Sequence, residues 1–114
     1  MGYRYRKWKL SEDVSLVVRC ELNGITEAKG ANQTLSVKCL TEFDSKITGV
    51  DWRQKIETQK GAVIATELKN NANKLAKWTC CAMLAGADAL KLGFVTRNHP
   101  RAGPNQAAPL QLNF

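Results

Sequence analysis

The chain has 114 residues, 44% of them apolar and 24% charged, and its 17 Lys and Arg against 10 Asp and Glu give a formal charge of +7. That length holds one modest core, and the composition excludes a disordered tail or a disulfide scaffold. No apolar run approaches the roughly 20 residues of a membrane-spanning helix, and the aromatic, basic N-terminus has no signal-peptide stretch, so a cytoplasmic protein with no membrane partner is expected.

Tyr3 to Leu10 alternates with the period of a strand, Tyr3, Tyr5 and Lys7 facing one way and Arg4, Arg6, Trp8 and Leu10 the other. Val14 to Leu22 is rich in β-branched residues, and Asn23-Gly24 after it is a hairpin-turn signal. Gln33 to Leu40 follows the Lys29-Gly30-Ala31-Asn32 turn and alternates Leu35, Val37 and Cys39 with Thr34, Ser36 and Lys38. This is the pattern of a half-buried strand whose apolar face holds Leu35, Val37 and Cys39. Asp51 caps a short helix over about 52–59, because its carboxylate accepts from the open amides of a first turn. Ala62 to Leu68 is nearly continuous in apolar residues, which predicts a central strand covered on both faces.

Asn70 or Asn71 then caps the main helix, about 70–86, with Leu75, Trp78, Ala82 and Ala85 on one stripe and Lys74 and Lys77 directed elsewhere. Gly86 ends it, and Leu90 to Thr96 returns as a strand, completing a strand-helix-strand unit. Pro100, Gly103, Pro104 and Pro109 predict an irregular tail after Arg97. The expected fold class is α+β, a mixed, largely antiparallel sheet with one main helix and one short one.

The positive charge favours a polyanionic partner, nucleic acid first. Tyr3-Arg4-Tyr5-Arg6-Lys7-Trp8-Lys9 holds four cations and three aromatics in seven positions. Cations pair with phosphates and aromatic faces stack on bases, so the mixture suits single-stranded RNA. Its alternative is a basic edge strand whose cations discourage sheet-to-sheet aggregation while Tyr and Trp pack inward. Glu67-Leu68-Lys69 would present an acid and a cation together at a strand end, with Lys74 and Lys77 downstream. Glu21 and the Glu42-Phe43-Asp44 run add further acidic candidates. Cys20, Cys39, Cys80 and Cys81 lack paired zinc spacing and read as reduced thiols, and His99 is the one histidine, so neither a metal, a cofactor nor a hydrolase triad is expected.

YRYRKWKL from Tyr3, LVVRCE from Leu16, GVDWRQK from Gly49, GAVIATELKNNANKLAKWT from Gly61 and LAGADALKLGF from Leu84 together resemble the d subunit of eukaryotic translation initiation factor 3, over residues 3 to 101. The resemblance implies an mRNA cap-binding subunit of a multisubunit initiation complex, whose partners are the mRNA 5′ cap, the other subunits and the small ribosomal subunit. Its cap-binding domain is larger than this chain and is similar to the DXO-type decapping exonucleases. The resemblance thus implies a partial cap-binding domain over 1–101, with a divergent tail at 102–114. The acidic motifs of those exonucleases match Glu21-Leu22-Asn23 and Glu67-Leu68-Lys69, with Asn23 in place of an aspartate and Cys81 in place of a glutamine near the RNA 5′ end. A neutral amide holds a divalent cation poorly, so the expectation is binding without cleavage. The RNA candidates are Arg4, Tyr5, Arg6, Lys7, Trp8, Lys9, Lys69, Lys74 and Lys77, and the vestigial nuclease positions are Glu21, Asn23, Glu67, Lys69 and Cys81. The alternatives are residual metal-dependent decapping or exonuclease activity, and a structural component contacting the ribosome or other subunits.

Overall fold

A computed structural model of the chain describes residues 1–28, 30–97 and 107–110. Lys29 of the expected turn, His99, and residues 98–106 and 111–114 of the expected tail lie outside the described residues. The element order is β1 (Gly2–Lys9), β2 (Ser15–Leu22), β3 (Gly24–Ala28), β4 (Ala31–Thr41), α1 (Ser45–Thr48), α2 (Trp52–Lys55), α3 (Lys60–Asn70), α4 (Ala72–Ala85), β5 (Ala89–Arg97) and β6 (Ala107–Leu110). The fold is α+β, as expected. β1 and β2 form a two-stranded sheet, and β3, β4, β5 and β6 form a second sheet in that order.

The chain divides into two compact units, Met1–Lys38 with Trp78–Leu92, and Cys39–Lys77 with Gly93–Phe114. In the first unit β1 and β2 pair antiparallel from Gly2↔Leu22 to Lys9↔Ser15. Their turn is closed by the Leu10 and Ser11 amides donating to the Val14 carbonyl. Asn23-Gly24 is not a hairpin turn. Asn23 passes the chain from one sheet to the other, its amide donating to the Leu35 carbonyl and its Oδ1 accepting from the Val37 amide at 2.8 Å. The hairpin comes later, between β3 and β4, where Ala28 pairs with Ala31 and Gly30 takes a φ of +75° that glycine reaches without strain. Along β4 the buried positions are Leu35, Ser36 and Leu40, whereas Val37 and Cys39 are exposed. The expected apolar face is therefore interrupted after Leu35.

The C-terminal half of α4 also belongs to this unit. Its stripe is as expected, with Trp78 half-buried and Ala82 and Ala85 buried. Gly86 at φ +62° ends it in a Schellman arrangement: the Gly86 amide donates to the Met83 carbonyl, and the Ala87 amide to that of Ala82. Asp88 then accepts from the Thr34 amide at 2.7 Å and the Thr34 hydroxyl at 2.8 Å. Those two bonds, the amide's first and then the hydroxyl's, hold its carboxyl below the usual 3.8. Arg4 adds a smaller pull in the same direction, against a modest desolvation.

The second unit is built on Leu40, Val50, Trp52, Ile56, Val63 and Phe94, all buried. Trp52 meets Phe94 edge-on, ring centroids 5.1 Å apart at 75°, a preferred aromatic geometry. Asp44 caps α1 by accepting from the Lys46 amide, and Asp51 caps α2 as expected, its Oδ1 accepting from the Arg53 and Gln54 amides. The helical geometry of α2 stops at Lys55, with Ile56 as C-cap, short of the expected 59.

The expected central strand at 62–68 is instead part of α3, an 11-residue helix. Only Val63 and Glu67 are buried along it, one turn apart, as on the inner line of a helix; a two-faced strand would bury its whole run. Asn71 is the C-cap of α3 and donates its side-chain amide back to Glu67. The strand that precedes the helices is β4. Thr34 bonds Asp88 at the start of β4 and β5, and Glu42 bonds Val95 at their end, so the two strands run in the same direction with the helices as their crossover. Within the expected tail, Ala107–Leu110 forms β6, antiparallel to β5. Pro109 is compatible because β6 is the outermost strand of its sheet.

Candidate nucleic-acid interface

Strand alternation divides the β1 cations between two tasks. Tyr3, Tyr5, Lys7 and Lys9 are exposed, and Arg4, Arg6 and Trp8 are half-buried. The register sets Tyr3 opposite Glu21, Tyr5 opposite Arg19, Lys7 opposite Val17 and Lys9 opposite Ser15, so these eight share the outer face of the ribbon. On that face Tyr3 is 54% and Tyr5 69% exposed, and the Arg19 guanidinium lies 4.8 Å from the centroid of the Tyr3 ring. The inward packing of the tyrosines that the edge-strand alternative supposes does not occur.

The inner-face arginines are engaged with the end of α4. Arg4 Nη1 donates to the carbonyls of Ala85 at 3.0 Å and Gly86 at 2.9 Å; Arg6 Nη1 donates to those of Met83 at 3.1 Å and Leu84 at 2.7 Å. A helix leaves its last carbonyls without intrahelical partners and carries partial negative charge there, so two cations satisfy the backbone and the dipole together. Cys20 Sγ adds a weaker contact to the Leu84 carbonyl, and Arg6 also covers the Trp8 ring at 4.8 Å. Of the β1 candidates, Tyr5, Lys7 and Lys9 stand on the open face, while Arg4, Arg6 and Trp8 serve the fold. Arg19 was absent from the sequence candidates. Its signal was the period of two in β2, usable only once the register with β1 is known.

The vestigial positions do not form the expected strand-end pair. In the first unit Asn23 Nδ2 donates to Glu21 Oε1 at 2.9 Å, and Cys81 is exposed on α4. In the second unit Glu67, 5% exposed, accepts from Trp52 Nε1 at 3.0 Å and from Asn71 Nδ2 at 2.8 Å, one bond to each oxygen. Lys69 is two residues along the same helix and so leaves it in another direction. Lys69, Lys74 and Lys77 are all exposed, and Lys74 with Glu67, Asn70, Phe43 and Ile47 lines a concavity of about 610 Å³. Glu42 is held by Arg53 through a paired contact at 3.0 and 2.9 Å, and Asp44 is used as the α1 cap. Among the described residues no three His, Cys, Asp or Glu side chains gather as a metal site, and no helix is long and apolar enough to cross a membrane.

Comparison with known proteins places the chain in a class of translation proteins. The family model described as Eukaryotic translation initiation factor 3 subunit 7 (eIF-3) matches residues 1–106, five residues beyond the expected limit at Arg101. The chain belongs to this family. It is 58% identical over 101 residues to the Arabidopsis thaliana D subunit of eukaryotic translation initiation factor 3, covering 89% of this chain and 17% of that protein. The corresponding proteins of Danio rerio and Xenopus laevis are 59% identical over 101 residues and 61% identical over 99. Those matches cover 87% and 85% of this chain, and 18% of each relative. The chain thus spans less than a fifth of the length of these relatives.

Proposed function

We propose that this chain contributes an RNA-contacting surface to an initiation factor 3 complex and engages the 5′ end of mRNA, cap included, without cleaving it. The observation that carries the reading is the two-sided ribbon. Its outer face holds Tyr3, Tyr5, Lys7, Lys9 and Arg19, and its inner arginines are engaged by α4 and keep that face presented. Family membership supports translation initiation as the setting; in this reading the chain works in the cytoplasm beside other factor subunits and the small ribosomal subunit.

Two features support binding over hydrolysis. Asn23 offers a neutral amide whose Oδ1 and Nδ2 are bonded to Val37 and Glu21, and both Glu67 oxygens accept from neutral donors in the packed second unit. A nuclease that uses divalent ions needs carboxylates directed at the ion.

Titration of capped and uncapped RNA oligonucleotides at two salt concentrations tests the proposal. Salt-sensitive binding with tighter retention of the capped RNA is expected. Absence of binding by either RNA refutes it. Release of 5′-labelled product in magnesium or manganese, abolished by Glu67→Ala, would instead establish cleavage.

A further inference from the structure

The geometry points to a specific ligand form for the outer ribbon face, an inference that rests on the RNA reading above: the face is a stacking and phosphate strip for unpaired RNA, indifferent to base identity. Tyr5 is 69% exposed, and among the described residues its side chain makes no hydrogen bond or ring contact. Lys7 and Lys9 are exposed on the same face, with no ion-pair partner among the described residues. Tyr3 differs, because Arg19 already covers its ring at 4.8 Å.

Stacking decides between single and double strands. An internal base of a duplex has both faces covered by its neighbours, so an exposed ring such as that of Tyr5 stacks on a base only where the strand is unpaired. Same-face neighbours on a strand lie about 6.6 Å apart, so Lys7 and Lys9 continue from Tyr5 along one line of the face and meet the phosphates that follow such a base. Glu21, opposite Tyr3, is an exposed acid that repels phosphate and bounds the strip, so the chain of contacts runs from Tyr5 towards Lys9. A tyrosine ring and two ammonium groups do not distinguish among base edges, which makes the contact sequence-tolerant.

The test is fluorescence anisotropy with the whole chain, using 3′-labelled oligouridylate and oligoadenylate, each capped and uncapped, and a blunt RNA duplex of equal length. Tyr5→Ala weakens single-strand binding about five- to 150-fold, the range that one stacked base is worth. Tyr5→Phe retains it. Lys7→Gln/Lys9→Gln lowers the salt slope by about 1.4, from two phosphates at about 0.7 each. The duplex binds more weakly and does not respond to Tyr5→Ala. Because Tyr5 is exposed, the variant's unchanged circular dichroism and melting exclude misfolding as the cause of lost binding.

Unchanged single-strand affinity in Tyr5→Ala, or duplex binding as tight as single-strand binding with the same dependence on Tyr5, overturns the strip. The capped-to-uncapped ratio reports separately on the 5′-end reading. A ratio of one with the Tyr5→Ala loss intact removes cap recognition and supports the strip, while a cap preference that persists without any Tyr5→Ala loss removes the strip alone.

Discussion

Arg4→Ala separates the two uses a cation on β1 can have. In the structure the Arg4 guanidinium sits between the carbonyls of Ala85 and Gly86, in a part-buried position. Hydrogen bonds to a charged group are worth about 1.5–3 kcal/mol, and a cation at a partly buried helix C-terminus up to about 2 kcal/mol. These describe the same contact from two sides and do not add, so the expected loss is about 2 kcal/mol. At roughly 4 °C per kcal/mol for a chain of this size, thermal unfolding shifts down by about 8 °C.

Arg6 makes the same kind of contact in a more exposed position and also covers Trp8, so Arg6→Ala is expected to lose about 1 kcal/mol, or about 4 °C. The two arginines share one helix end, so the double variant should depart from the sum of the singles. Circular dichroism melting gives the stability, and RNA titration against salt gives the second readout. Arg4→Ala should leave the salt slope where it is, because the inner face meets no phosphate. An unchanged melting temperature together with a slope reduced by about 0.7, one phosphate contact on a single strand, would refute the assignment of Arg4 to the fold.

Three further outcomes follow from particular contacts. Glu67→Gln keeps an acceptor for Trp52 Nε1 but turns an amide donor towards Asn71 Nδ2, so about 1–3 kcal/mol is lost, read as a lower denaturant midpoint at unchanged m, while RNA affinity stays constant. Gly86→Ala forces a β-carbon into a left-handed backbone, at about 1–2 kcal/mol, and brings it to 3.2 Å from Arg6 Nη1 and 3.3 Å from Arg4 Nη1. Gly49, also left-handed at φ +81° but in open space, is the control, and Gly86→Ala should melt below Gly49→Ala by the disturbance of the arginines. Asp88 has a folded pKa below its usual 3.8, so the stability its bonds contribute is complete above that value and lost as pH falls through the lower, folded one. Asp88→Asn should therefore flatten the acid limb of the stability–pH curve below pH 3.8 and lower stability at neutral pH.

Local chemistry made some elements legible in the sequence. Asp51 carries a capping carboxylate directly before Trp52, and Leu75, Trp78, Ala82 and Ala85 keep helical spacing, so α2 and α4 follow from their own residues. The 62–68 run did not, because a short apolar stretch fits a buried strand and a helix equally well. Burial decides in favour of the helix: Val63 and Glu67, one turn apart, are the buried positions of α3, a spacing that a strand covered on both faces would not show. Asn23-Gly24 carried a turn signal whose residues were instead used in crossing between sheets, where the Asn23 side chain replaces a ladder partner for Val37. That is a tertiary demand, and no local pattern expresses it.

The same distinction sharpens the functional argument. A formal charge of +7 gives a bias towards polyanions but does not say which cations are available. The period of two along β1 does, once one face is known to be covered: Arg4 and Arg6 neutralise four backbone carbonyls, and Lys7 and Lys9 remain on the open side with Tyr5. Shifting the β1 register by one residue would exchange these sets, putting compact ammonium groups against the helix end and both guanidiniums into solvent. A planar guanidinium presents its donors in a rigid fork, whereas a lysine is a point charge on a flexible stem. The choice of Arg on the inner positions and Lys on the outer ones therefore favours the observed register, and that register is what leaves Tyr5, opposite Arg19 and two residues before Lys7, as the open aromatic of the face.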